Sequence, residues 1–143
     1  MLCQSDQRRL APGRLLTVRA LAVFVLLDLA FRFVGLNRLL ELLRRRRARP
    51  VSWPAAAGGD QARRTFAAVQ RATMLYYRRR RDCLPKAMTT FHLLRSQGLA
   101  AELCFGVKSY PFRAHSWVEA YGQLLDDDPP RIAGYTLIHR LSA

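Results

Sequence analysis

The chain has 143 residues, half of them hydrophobic, which is enough for one domain with a real core and excludes a disordered tail. Its 24 basic residues, all but two of them arginine, outweigh 10 acidic ones to give a net charge of +14. Such a balance favours an anionic partner, but much of it lies in two short runs, Arg44–Arg47 and Arg78–Arg81. Three cysteines, Cys3, Cys83 and Cys104, build no disulfide framework, and an odd count suits a reducing, cytoplasmic setting.

Residues 1–50 read as an N-terminal helical extension. Between Arg19 and Arg32 the chain carries ALAVFVLLDLAF, twelve residues interrupted by Asp28. A membrane span needs roughly 20 apolar residues, so this segment falls short of one. No small-x-small cleavage site follows it, which argues against a secretory signal. The pattern predicts one long or two consecutive helices from Arg14 to about Arg46, broken near Gly35-Leu36-Asn37, with Asp28 and Arg32 paired four residues apart. The first helix is apolar nearly all round and must bury against something: its own domain, a partner protein or a membrane interface.

Pro50, Pro54, Gly58 and Gly59, with three alanines, predict a linker at 51–59 and a main domain over 60–143. A helical stripe of Phe66, Val69, Met74 and Tyr77 follows and ends in the second arginine run. Only Tyr76 and Tyr77 adjoin either run, so solvated helix ends explain the arginines better than a nucleic-acid surface does.

The next helix opens with Asp82 as N-cap, Cys83 behind it and Pro85 in the first turn, and Gly98 closes it. Ala87, Met88, Phe91 and Leu94 describe its buried face. A cysteine at a helix start sits where free N–H groups and the helix dipole favour the thiolate. The period then changes to two. Ala101, Leu103, Phe105 and Val107 alternate with polar or small residues, and in RAHSWVEAYG His115, Trp117, Glu119 and Tyr121 share one face. After a turn at Gly122 come Leu124-Leu125, the acidic triplet Asp126–Asp128, Pro129-Pro130 and a last strand from Ile132 to Leu141. Helices followed by an antiparallel meander make an α+β domain with a helix packed on a sheet.

A thiol attacks carbonyls as thiolate, so it needs a base beside it and a third group to orient that base. Cys83, His115 and the acidic triplet supply these types. With a three-residue turn at 122–124, Glu119 faces Asp127 and Asp127 joins the His115 side; a two-residue turn favours Asp126 or Asp128 instead.

The motifs Cys83-Leu84-Pro85, Leu93 to Gly98, Gly106-Val107 and Ala114 to Glu119 resemble the transglutaminase-like cysteine protease domain of lasso-peptide maturation B proteins, in the stand-alone leader-peptidase form. The resemblance covers residues 60–141, and the chain departs from the family pattern at Asp82, where arginine is frequent. The separations of 32 and 12 residues between Cys83, His115 and Asp127 agree with the family's catalytic Cys–His–Asp. The resemblance implies a transglutaminase-like, papain-like core and a cysteine peptidase that removes the leader of a ribosomally made lasso-peptide precursor through a thioester. It also implies a separate leader-recognition protein and an ATP-dependent cyclase as partners, with no metal or cofactor for the protease itself. Two readings stand beside it: a non-catalytic scaffold presenting peptide to a cyclase, and a basic nucleic-acid-binding protein motivated by charge alone.

Overall fold

A computed structural model describes residues 13–45, 51–76, 83–125 and 129–142. Cys3, Arg46, Arg47, Tyr77, the run Arg78–Arg81, Asp82 and the triplet Asp126–Asp128 lie outside the described residues. Helix α1 spans Arg14–Val34 and α2 Leu36–Arg45. They part at Gly35, whose φ of 84° turns the chain while its N–H bonds the Phe31 carbonyl. The expected break and the Asp28–Arg32 ion pair, at 3.1 Å, are both present.

Helix α3 runs Ala55–Tyr76, so the linker expected at 51–59 gives way to helix from Ala55 onward. Gly58 and Gly59 are buried because the helix packs closely there: a Cβ on Gly58 would meet the Tyr121 ring at 2.4 Å. The buried face of α3 is also not the large-residue stripe the sequence suggested. Met74 is exposed, and the packed positions are Gly58, Ala62, Thr65, Val69 and Ala72, small residues at three- and four-residue spacing. Small side chains let helix axes approach, and here that outweighs the area a methionine would bury.

Helix α4, Cys83–Ser96, crosses the middle of the molecule, and Ala87, Met88, Phe91 and Leu94 form part of its buried face as expected. It ends in a two-bond C-terminal cap: Gly98, at φ 76°, donates to the Arg95 carbonyl and Leu99 donates to Leu94. The sheet follows, with β1 Glu102–Lys108, β2 Arg113–Ala120, β3 Gln123–Leu125, a short helix α5 Pro129–Ile132, and β4 Thr136–Ser142.

The strand order is β3-β2-β1-β4, with every pairing antiparallel. The simple meander is therefore corrected to a Greek-key order, because the last strand returns to the free edge of β1. Period-two alternation cannot distinguish the two edges of a sheet, since both offer the same pattern of backbone groups. The final segment is also shorter than expected. Pro129 and Pro130 suit the first turn of a helix, and they use Ile132 there before the strand begins.

One face of the sheet, carrying Leu103, Val118, Ala120, Leu125 and Leu141, packs on α4. The same cluster contains Leu27, Leu39 and Leu43 from the first two helices, so residues 13–45 share the core of the rest of the chain. A buried arginine ties the two parts together: Arg95 Nη1 donates to the Leu43 carbonyl at 2.7 Å, capping a helix end that would otherwise leave that oxygen without a partner. Among the described residues no helix is long and apolar enough to cross a membrane.

Candidate active site

Cys83 is the first residue of α4 and is half-buried. Across from it, β2 brings His115 and Ser116. Neighbouring strand residues point to opposite faces. Both can act on one sulfur only if it lies off the edge of the strand, and the pairing explains why that edge is open. Strand β3 has three residues and its ladder with β2 ends at Val118, so among the described residues no strand covers β2 at 115–117. The start of α4 fills that place.

Burial by itself pushes the Cys83 thiol up. It is outweighed by the donors that favour an ionised sulfur, the His115 side chain and the hydroxyl and backbone N–H of Ser116, and by the charge of His115. The balance lowers the thiol from its ordinary 9.0 to about 7. Cys104 is the internal control. It is fully buried on β1, with Glu119 and Glu102 adding negative charge, and it is pushed up to about 11. Both cysteines lose water; the one with donors around its sulfur ionises near neutrality, and the other does not.

Aromatic contacts position His115. Its ring stacks on Trp117, with centroids 6.0 Å apart, and meets Tyr135 at 5.5 Å. The Trp117 indole N–H is fixed by Glu119 Oε1 at 2.9 Å, and Glu119 in turn faces Arg140 at 3.8 Å. Trp117 and Glu119 share the His115 face, as the alternation predicted. Tyr121 does not, because it belongs to the turn.

That turn corrects the register. Tyr121 and Gly122 have φ values of 51° and 70°, a two-residue turn in the left-handed region, and Glu119 pairs with Leu124. The three-residue turn that set Asp127 opposite Glu119 is absent, and the two-residue rule favours Asp126 or Asp128. The triplet itself lies outside the described residues, so Asp127 is supported by the family resemblance alone.

The structure brings the expected Cys83 and His115 together and sets beside them Ser116 and Tyr135, which the sequence did not single out. Ser116 had a readable signal, since it lies on the helix-facing side of β2, where a polar residue needs a reason. Tyr135 had none, because its place depends on β4 returning beside β1. Among the described residues no cluster of histidine, cysteine or acidic side chains is arranged to hold a metal.

A segment of 48 residues is 42% identical to the Microcin J25-processing protein McjB of Escherichia coli. That segment covers 34% of this chain and 23% of the relative, so the chain spans about a quarter of the curated protein it resembles. No solved structure matches. The family model described as "Transglutaminase-like superfamily" matches residues 20–140, from the middle of α1 to near the end of β4, and the chain belongs to that superfamily.

Proposed function

We propose that this protein is a cysteine peptidase that removes the leader from a lasso-peptide precursor. The observation that carries the reading is the placement of Cys83 at a helix start with His115 beside its sulfur and a thiol lowered to about 7. The superfamily match and the processing role in the relative's name support it.

In this mechanism the Cys83 thiolate attacks the carbonyl at the leader–core junction. The oxyanion that forms is met by the Cys83 backbone N–H at the start of α4, where helix N–H groups have no intrahelical partner. His115, protonated in the resting pair, gives its proton to the leaving amine, and the C–N bond breaks to leave a thioester. Water, deprotonated by His115, then attacks the thioester, the C–S bond breaks and the sulfur takes the electron pair. An acid of the triplet, with Asp127 the family's choice, fixes the imidazole tautomer. The freed core amine is the group a separate ATP-dependent cyclase needs. A leader-recognition protein delivers the substrate, and cleavage takes place in the cytoplasm.

Incubation of the protein with a lasso precursor and the leader-recognition protein, followed by mass spectrometry, tests this. The expected result is separate leader and core fragments with wild type and none with Cys83→Ala. Equal cleavage by Cys83→Ala would exclude the mechanism.

A further inference from the structure

We propose that the Ser116 hydroxyl is a second thiolate-holding group, a donor to the Cys83 sulfur that acts beside His115. This rests on the reading of Cys83 as the nucleophile.

Ser116 is 4% exposed, and its oxygen is sealed from solvent without a hydrogen bond of ordinary geometry to any described group. A buried hydroxyl left in that state is unfavourable, and no other buried hydroxyl among the described residues is left so. Thr89 donates to the Pro85 carbonyl at 2.8 Å and Thr90 to the Lys86 carbonyl at 2.9 Å. Thr65 donates to Gln97 at 3.3 Å. The other buried polar atoms without a hydrogen bond belong to charged groups that are served otherwise. Asp28 pairs with Arg32, and Arg95 donates through a different nitrogen to Leu43. Ser116 is the exception, and it stands next to the nucleophile.

The chemistry explains the exception. A neutral thiol is a weak acceptor, so the Ser116 hydroxyl gains little while Cys83 is protonated. A thiolate is a full negative charge, and hydrogen bonds to charged acceptors are the strong ones. The interaction therefore discriminates between the two states of the sulfur, and only such an interaction shifts its ionisation. Both the hydroxyl and the N–H of Ser116 favour the ionised sulfur. The same donor serves twice in the reaction. It is idle in the thioester, whose sulfur is a poor acceptor, and it is re-engaged when the C–S bond breaks and the electron pair returns to sulfur.

The test follows iodoacetamide alkylation of Cys83 in the full-length protein across pH, read by mass spectrometry on the tryptic peptide 82–86, which separates it from Cys3 and Cys104. In Ser116→Ala the inflection is expected to rise by about one pH unit, and the alkylation rate at pH 6.5 to fall roughly 5–10-fold. Ser116→Thr, which restores a hydroxyl, should return the inflection toward wild type. At pH 6, below the folded value of the thiol, the thermal midpoint of Ser116→Ala should hold or rise, since a merely structural serine would lower it when removed. Ser116→Gly provides a second deletion, with folding checked by circular dichroism, and should shift the same way. An unmoved inflection in folded Ser116→Ala or Ser116→Gly overturns the proposal. Alkylation requires no peptide substrate, so the two readings separate. A shifted inflection in a protein that cuts no precursor leaves Ser116 in its role and removes the peptidase function. Cleavage with an unmoved inflection does the reverse.

Discussion

Gly106 stands directly across the β1–β2 ladder from His115, and its missing side chain is what lets the aromatic support of that histidine close. A Cβ at residue 106 would lie 2.9 Å from the Trp117 ring and 3.1 Å from Tyr135 Cβ, the two residues that hold the imidazole. The ring could not stay where it is. Gly106→Ala is therefore expected to displace Trp117 and with it His115. Small misplacements of a catalytic group cost on the order of 10- to 100-fold in rate. Steady-state cleavage kinetics should show this mainly in kcat, with KM little changed, because the substrate surface is not what moves.

The second prediction concerns pH. With its thiol at about 7, Cys83 should gain reactivity as pH rises through neutrality, while Cys104, pushed up to about 11, stays silent. Folding follows the same group. Its folded value lies below the ordinary 9.0, so its contribution to stability is fully present above pH 9 and is lost as pH falls through about 7. Melting curves of wild type and Cys83→Ser should accordingly diverge between pH 7 and pH 9, in favour of wild type at the higher pH. Parallel curves would show that the sulfur does not ionise in this window.

A third prediction separates the acids. The two-residue turn at Tyr121-Gly122 favours Asp126 or Asp128 on the His115 side, whereas the family spacing selects Asp127. Asp126→Asn, Asp127→Asn and Asp128→Asn should be assayed together. The substitution at the orienting acid should lower kcat by about two to four orders of magnitude and leave the other two near wild type. Damage confined to Asp127→Asn means that the chain departs from the simple ladder after Leu125.

The fourth prediction concerns the N-terminal helices. Phe24, Leu27, Leu39 and Leu43 are all less than a tenth exposed, and each fully buried side chain of this kind contributes about 1.5–3 kcal/mol. Four of them approach the whole stability of an ordinary domain, about 5–15 kcal/mol. Residues 51–143 alone should lack a cooperative thermal transition, which circular dichroism would reveal. The subtler variant Arg95→Met removes only the donor to the Leu43 carbonyl and the cation resting over the Phe91 ring. It should cost about 2 kcal/mol, a fall of roughly 4–8 °C in Tm, with the cleavage site intact.

Local chemistry in the sequence was enough for the parts that depend on local chemistry. Gly35 and Gly98 mark helix ends because only a left-handed residue ends them this way, and the spacing of Ala87, Met88, Phe91 and Leu94 describes a face that any helix would bury. The thiol at the head of that helix and the histidine on a later strand were legible as a candidate pair, and the fold brings them together. What lies between elements was not. The α3 face is chosen by how closely its neighbours approach, so Gly58 and Ala72 are packed and Met74 is not. The β3 register turns on Tyr121 taking a positive φ, which its residue type does not announce. The place of β4 beside β1 brings Tyr135 to His115, and the short β3 opens the strand edge that receives Cys83. Each of these is a contact between segments far apart in the chain, decided by the competition of surfaces for one core, and no window of neighbouring residues contains that competition.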